Sequence, residues 1–131
     1  MRIKQVSVFV ENKAGRLVAV LEALEKRGIS IRALSVSDAA EIGIIRMILT
    51  DNEGGQEELK LAGFTTRIDW LVSAEIPNVP GGLLQSVVKP LAEAGINVDY
   101  LYPYTEPSTN KTMAAIKTQD LEMAESVLEL R

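Results

Sequence analysis

The chain of 131 residues contains neither cysteine nor histidine. Without cysteine there is no disulfide framework, no thiolate nucleophile and no cysteine-based metal site. Without histidine there is no imidazole base, no Ser-His triad and no imidazole metal ligand. Lysine, aspartate and glutamate could still carry out acid–base chemistry. An enzyme is therefore not excluded by composition, although the chain has few of the usual catalytic side chains, and we expect no catalytic residue, no metal site and no cofactor.

The chain also lacks a basic cluster and a long apolar run. Its formal net charge is −4, its basic residues are scattered, and a nucleic-acid surface needs clustered lysine and arginine. No apolar run approaches the roughly 20 residues of a membrane helix. The charged start of the chain differs from the core of a signal peptide. We therefore expect no nucleic-acid partner, no membrane partner and a cytoplasmic location.

Two periodicities alternate along the first half of the chain. Val6, Val8 and Val10 alternate as in a half-buried strand, and the apolar residues that follow, from Leu17 to Leu24, have helical spacing. The remaining pattern predicts strands at 29–36, 42–49 and 64–69, a hairpin loop at 37–41, and a helix from about 52 to 62. The order β-α-β-β-α-β is the ferredoxin-like arrangement.

The pattern then restarts. Val72, Ala74 and Ile76 follow the first strand's valines by 66 positions, and the next helical stripe follows the first one by 67. The extra position lies in the second glycine turn, where Gly81 and Gly82 share the place of Gly15. Strands near 100–102 and 113–118 and a helix from about 121 to 128 complete the second copy. It has no closing strand of its own, so its sheet is either a strand short or completed by a neighbouring strand.

Pro90 falls inside the second copy's first helix. Proline removes a backbone hydrogen bond there and clashes with the preceding turn. We predict a kink or a local widening of the helix between Ser86 and Pro90, tolerated without a function of its own.

Two pairs of short motifs carry a family resemblance. Glu-Asn-Lys-Ala-Gly-Arg-Leu at 11–17 opens the first helix, and Gly-Ile-Ser-Ile at 28–31 leads to the next strand. Pro-Gly-Gly-Leu at 80–83 and Gly-Ile-Asn-Val at 95–98 occupy the matching places. Each copy resembles an ACT domain, a small ligand-sensing module of regulators of amino-acid metabolism. The tandem is similar to stand-alone double-ACT proteins. Ala14 departs from the family, which often has proline there.

The resemblance implies the fold and the domains. We expect an α+β protein of two ferredoxin-like βαββαβ repeats, with antiparallel sheets and with helices on one face. The expected domains are residues 1–69 and 70–131, and the second one lacks its own closing strand.

The resemblance also implies a site for a free amino acid. A glycine turn at a helix N-terminus presents N–H groups that suit a carboxylate, and polar groups on a neighbouring strand suit the ammonium. The ligand would lie between the turn of one ACT unit and the second strand of a paired unit. The implied ligand-binding residues are Asn12, Ala14, Gly15, Arg16 and Leu17, then Ser35, Ser37 and Asp38, and in the second copy Asn78, Pro80, Gly81, Gly82 and Leu83. If only one turn binds an amino acid, we expect it to be the first.

Structural interpretations of the same residues stay open. The glycines also suit tight turns, Asn12 and Asp38 also suit turns and hairpins, and Arg16 also suits a solvated helix start. The tyrosines at 100, 102 and 104 share one face of a strand. They fit a ligand wall or a packing surface.

These residues lead to a regulatory hypothesis with two alternatives. We expect a non-enzymatic amino-acid sensor that forms a homodimer through exposed sheet edges and that acts on itself or on an enzyme of amino-acid metabolism. One alternative is a dimerisation module without a ligand. The other is an acylphosphatase-like hydrolase that uses Arg16 and Asn12. An RNA-binding module, which needs a basic surface and exposed aromatic residues, fits poorly.

Overall fold

The computed structural model describes residues 1–39 and 41–129. The α+β class with ferredoxin-like repeats is confirmed. In chain order the described elements are β1 Arg2–Glu11, α1 Arg16–Lys26, β2 Ile31–Ala39, β3 Ile42–Leu49, α2 Asn52–Leu61, β4 Thr65–Glu75, a π-helix Leu84–Val88, α3 Lys89–Glu93, β5 Tyr100–Thr105, β6 Thr112–Lys117 and α4 Leu121–Glu129.

The chain forms two compact units. We call Lys4–Asp69 the N-terminal unit, and Trp70–Arg131 together with Met1–Ile3 the C-terminal unit. In the N-terminal unit the strand order is β2-β3-β1-β4. β3 pairs antiparallel with both β1 and β2. This is the strand order of a ferredoxin-like sheet, with β2 at its edge.

The core of the N-terminal unit lies on one face of its sheet. Val6 and Val8, which alternate with Ser7 and Phe9, stand opposite Met47 and Ile45 of β3. Because paired residues of an antiparallel ladder point to the same side, these four share a face. The apolar residues of α1 and α2 cover it, so both helices pack on that face. The buried core consists of Val6, Val8, Val20, Leu24, Ile29, Ile45, Met47, Leu49 and Leu59.

The C-terminal unit repeats this plan with the strand order β1-β4-β6-β5. Its core again joins strand residues to helix residues, namely Val72, Ala74, Val87, Leu91, Ala114, Ile116, Ala124 and Leu128. The fourth strand comes from the start of the chain, since the backbone N–H of Ser73 donates to the carbonyl of Met1 at 2.8 Å. The residues Met1–Ile3 therefore complete the sheet that lacks a closing strand of its own.

Two predicted boundaries are wrong. The loop predicted at 37–41 is shorter, because β2 continues to Ala39 and pairs Ser37 with Ile44 and Asp38 with Gly43. Ala40, which belonged to that predicted loop, lies outside the described residues. The strands predicted at 64–69 and from Val72 onward are one strand, β4.

The widening predicted near Pro90 is confirmed. Leu84–Val88 forms a π-helix, and the N–H of Lys89 donates to the carbonyl of Leu84, five residues earlier. α3 follows with Pro90 in its first turn, where a missing N–H is tolerated. The wider turn thus places the proline at the start of a new helix.

Candidate functional site

The turn after β1 is built from backbone hydrogen bonds. The N–H of Asn12 donates to the carbonyl of Glu41 at 3.0 Å, and the N–H of Lys13 donates to that of Glu11 at 2.8 Å. Gly15 then adopts φ = 92° immediately before α1, and its carbonyl accepts the first helical bond from Ala19 at 3.0 Å. A side chain rarely adopts this conformation, so glycine is required here for the backbone.

The start of α1 is open on the side of Gly15. A Cβ built on Gly15 would meet no atom of the described residues within 4 Å, and no side chain caps the helix. The first N–H groups of a helix have no partner within the helix, and the helix dipole makes this end partially positive. An anionic group of a ligand can therefore approach the backbone of this turn.

Side chains of the turn and of β2 meet at this helix start. The Nδ2 of Asn12 donates to the Oδ2 of Asp38 at 3.2 Å, which links the turn to the end of β2. In the same strand, the Oγ of Ser37 accepts from the Nη1 of Arg46 at 3.2 Å. The predicted turn residues and strand residues are thus neighbours within a single unit.

Glu11 and its two basic neighbours form an ionic cluster on the same turn. The carboxylate lies 2.9 Å from the Nζ of Lys13 and 3.3 Å from the Nη2 of Arg16. Its hydrogen bond with Lys13, followed by the charges of Lys13 and Arg16, holds the pKa of Glu11 below its ordinary value. Because Arg16 contacts a carboxylate and Asn12 contacts Asp38, this arrangement disfavours the phosphate loop of an acylphosphatase-like hydrolase.

A cavity of about 90 Å³ lies between the first turn and the end of β2. Five of the predicted residues line it: Asn12, Arg16, Leu17, Ser37 and Asp38. Ala14 and Gly15 lie on the turn beside it but do not line it. Ser35 lies farther along β2, half-buried and opposite Arg46.

Sequence reasoning missed the other residues that line this cavity. They are Val10, Glu11, Lys13, Val36, Gly43 and Ile45. Glu11 and Lys13 belong to the turn motif and could have been included. The β3 residues depend on the register that places Val10 opposite Gly43, which local sequence does not specify.

The turn after β4 has a different construction. The N–H of Val79 donates to the carbonyl of Pro77, and the N–H of Gly82 donates to that of Val79, both at 2.9 Å. Gly81 has φ = 77°, whereas a Cβ on Gly82 would lie 2.1 Å from the carbonyl oxygen of Pro77. Gly82 is therefore required because the backbone of the turn passes too close for any side chain.

The second turn has its own cavity, of about 310 Å³. Asn78, Gly81, Gly82 and Leu83 of the predicted set line it, and Pro80 does not. Its other lining residues are Ile76, Pro77, Val79, Leu84 and Thr112. Val79 is 62% exposed, and no residue that lines this cavity is charged.

The tyrosines of β5 are packed within the C-terminal unit. Tyr102 and Tyr104 are buried, and the rings of Tyr100 and Tyr102 stack with centroids 6.5 Å apart. The hydroxyl of Tyr104 lies 2.5 Å from the Oγ of Ser73. This burial favours a packing role over a ligand wall.

The part of the chain that the structure describes contains neither a metal-ligand cluster nor a membrane-spanning helix. Within residues 1–39 and 41–129, no three acidic side chains group in a way that could hold a metal ion. None of the helices in these ranges has the length and apolarity needed to cross a bilayer.

Comparison with known proteins identifies relatives of the whole chain. A family model described as an ACT domain pair matches residues 1–131. A protein from Bacteroides thetaiotaomicron with a known crystal structure is 33% identical, with 99% of this chain and 88% of that chain covered and a TM-score of 0.89. No protein with a curated description matches.

Two more distant structures share the fold. The ligand-free regulatory subunit of aspartate kinase from Thermus thermophilus is 15% identical, with 97% of this chain and 90% of that chain covered and a TM-score of 0.64. The corresponding subunit from Thermus flavus is 16% identical over the same shares, with a TM-score of 0.62. At these identities the likeness extends to the fold alone.

Proposed function

This chain belongs to the ACT domain pair family, and from that premise we propose that it is a non-enzymatic regulatory protein that binds a free amino acid at its first glycine turn. The proposal includes the division into domains 1–69 and 70–131 and a cytoplasmic location. The observation that carries it is the hydrogen bond from Asn12 to Asp38 beside the uncapped start of α1.

The chemistry of the first turn suits a zwitterion. The ligand's carboxylate would face the backbone N–H groups near Gly15, where the helix dipole favours negative charge. Its ammonium would lie against the carboxylate of Asp38, which the Asn12 amide orients. The negative charge of Glu11 is balanced by Lys13 and Arg16, so Asp38 is the carboxylate free to pair with the ammonium.

The size of the cavity supports a site that a second copy completes. A larger depression of about 460 Å³ lies along the first turn and the start of β3, where Asn12, Lys13 and Ile42 line it. Ligand sites usually enclose about 300–1,000 Å³, and the cavity between the first turn and the end of β2 has about 90 Å³. This volume accommodates the charged end of an amino acid and leaves its side chain outside. A second copy placed over the first turn would enclose the remainder.

The edge strand β2 is the surface that we propose for the homodimer. It is nine residues long and carries Leu34 and Val36, which are 43% and 54% exposed. Both stand opposite core residues of β3, Met47 and Ile45, and therefore extend the apolar face beyond the helices. A long apolar edge strand is a template for pairing with another chain.

The regulated target is proposed to be an enzyme of amino-acid metabolism. The two Thermus proteins that share the fold are described as regulatory subunits of aspartate kinase. In such a partnership, the amino acid would change the output through its different affinities for two states of the assembly.

A thermal-shift screen of the protein with each standard amino acid tests the ligand proposal. We expect one amino acid or a small chemical group of them to stabilise the fold, by about 2.7 kcal/mol at one hundred times Kd. Asp38→Asn should remove this stabilisation because it removes the ammonium's partner while keeping the shape of the side chain.

Matched glycine variants locate the site. Gly15→Val places a side chain over the open helix start, whereas Gly81→Val imposes a similar positive-φ strain at the second turn. The ligand-induced shift should disappear only in Gly15→Val. No shift with any amino acid would overturn the ligand proposal, and a shift that Gly81→Val alone removes would move the site to the second turn.

A further inference from the structure

A groove of about 720 Å³ lies between α1 and α2 in the N-terminal unit. Ala19 and Ala23 of α1 and Ala62, just after α2, provide small side chains along it, and Leu61 stands beside them. None of the residues that line it belongs to the candidate amino-acid site.

The two helices are also joined directly beside the groove. A Cβ on Gly55 would lie 2.4 Å from the Cδ1 of Leu49 in β3 and 3.3 Å from the Cδ2 of Leu24 in α1, so glycine permits α2 to pack closely on both. Arg27, just after α1, forms an ion pair with Glu57 of α2 at 2.9 Å.

The groove combines an exposed apolar residue with a negative rim. Leu61 is 75% exposed, although a lone exposed leucine is ordinary on a protein surface. Here the rim adds the carboxylates of Glu22, Glu25 and Glu58 against the ammonium of Lys26, and the nearby guanidinium of Arg27 is paired with Glu57. An apolar depression between acidic side chains complements an apolar side chain flanked by basic ones.

We propose that this groove docks a helix of the regulated partner, one that inserts a large apolar side chain between flanking lysine or arginine residues. The inference rests on the proposed function, since a regulator without a catalytic site must pass its signal to another protein. Amphipathic helices bind such grooves through apolar residues spaced by three or four positions.

The charge of the rim argues against a second copy as the occupant. In a two-fold symmetric dimer the same patch faces itself. The carboxylates of one copy would then face those of the other, and like charges brought together at an interface oppose association. A basic partner meets no such repulsion.

A pair of synthetic helical peptides tests the proposal. Each has about 15 residues, near the minimum for a helix in water, with leucine along one face and either lysine or glutamate elsewhere. By fluorescence anisotropy, the lysine peptide should bind the full chain and the glutamate peptide should not. The binding should weaken as salt rises, because the contributing charges are exposed.

Groove variants decide whether binding occurs at this surface. Leu61→Ser should weaken lysine-peptide binding by about tenfold, the equivalent of a lost leucine contact. The double variant Glu22→Lys with Glu58→Lys should reverse the preference and bind the glutamate peptide. The matched control is Glu122→Lys with Met123→Ser on α4, where both residues are exposed, and it should change neither result.

Three outcomes would overturn the inference. The two peptides could bind equally, the groove variants could bind the lysine peptide as the unaltered chain does, or the charge reversal could change the oligomeric state, which would assign the groove to a second copy. The amino-acid screen provides the separation from the proposed function. If an amino acid raises the thermal stability but the lysine peptide does not bind, only the groove proposal is rejected. If the lysine peptide binds as predicted but no amino acid raises the stability, the amino-acid-sensor proposal is rejected.

Discussion

The turn after β1 is charged and open, whereas the turn after β4 is apolar and closed on itself. Glu11, Lys13 and Arg16 surround the first turn with an ionic cluster. The matching places in the second turn hold Pro77, Val79 and Leu83, and the Pro77 carbonyl occupies the space that a side chain on Gly82 would need. The same backbone plan thus supports a polar surface in one unit and an apolar surface in the other.

The helices that follow the two turns differ in the same way. α1 is a regular helix of 11 residues, whereas its counterpart divides into a π-helix and a short α-helix. Ala23 and Pro90 occupy matching places, 67 positions apart. A single residue type accounts for the difference, because proline cannot donate the helical hydrogen bond at that position.

Substituting each of these two residues by the other type should change the free energy of unfolding most. Ala23→Pro introduces the same defect into a helix without a π-turn, so we expect the free energy of unfolding to fall by about 3 kcal/mol. Pro90→Ala should raise it by about 1 kcal/mol as a regular helix becomes possible. Urea titration measures both. Similar destabilisation by the two substitutions would mean that the proline does not cause the difference between the helices.

Substituting alanine for glycine at the two turns should lower the free energy of unfolding by smaller amounts, and the two losses should be unequal. Gly82→Ala forces the turn backbone apart at Pro77, and overpacking of this kind costs about 2 kcal/mol. Gly15→Ala meets open space and costs about 1 kcal/mol, from the left-handed conformation alone. Comparison of urea midpoints tests the order. A larger loss at Gly15 would contradict the closed geometry assigned to the second turn.

The smallest effect should come from acid titration of the ionic cluster, which the second turn lacks. The pKa of Glu11 is lower in the folded state than its value of about 4.3 in an unfolded chain. Its contribution is therefore present above pH 4.3 and is lost as the pH falls through the folded-state pKa. Glu11→Gln should be slightly less stable than the unaltered chain at pH 7, and the difference should vanish in acid.

The control is Gln85→Glu, which places a carboxylate at an exposed position beside the second turn, outside the ionic cluster. A difference between the Glu11→Gln and unaltered chains that does not depend on pH would exclude this ionic contribution.

The order of elements could be predicted from the sequence because it depends on local periodicity. The alternation of Val6, Val8 and Val10 and the spacing of Leu17 to Leu24 are properties of short segments. The extent of β2 could not be predicted, since Ser37 and Asp38 favour turns by themselves and join the strand only through pairing with β3. The strand that completes the sheet of the C-terminal unit could not be identified either, because Met1 and Ser73 are far apart in the chain.

The candidate site shows the same division between local and distant information. The left-handed Gly15 at the start of α1 follows from the turn motif alone. The hydrogen bond between Asn12 and Asp38 depends on where β2 ends, which tertiary pairing determines. The need for glycine at position 82 comes from the carbonyl of Pro77, a contact inside the turn that residue preferences do not reveal.

The strand β1 has a consequence for how the protein folds. Its first two residues, Arg2 and Ile3, belong with Met1 to the C-terminal unit, while the rest of the strand belongs to the N-terminal unit. During synthesis these three residues are made before the N-terminal unit, whereas their partner Ser73 is made only after it. The long loop between them must close at an entropic cost before this contact stabilises anything. A cut between Asp69 and Trp70 would therefore leave the later fragment without a segment that its sheet requires.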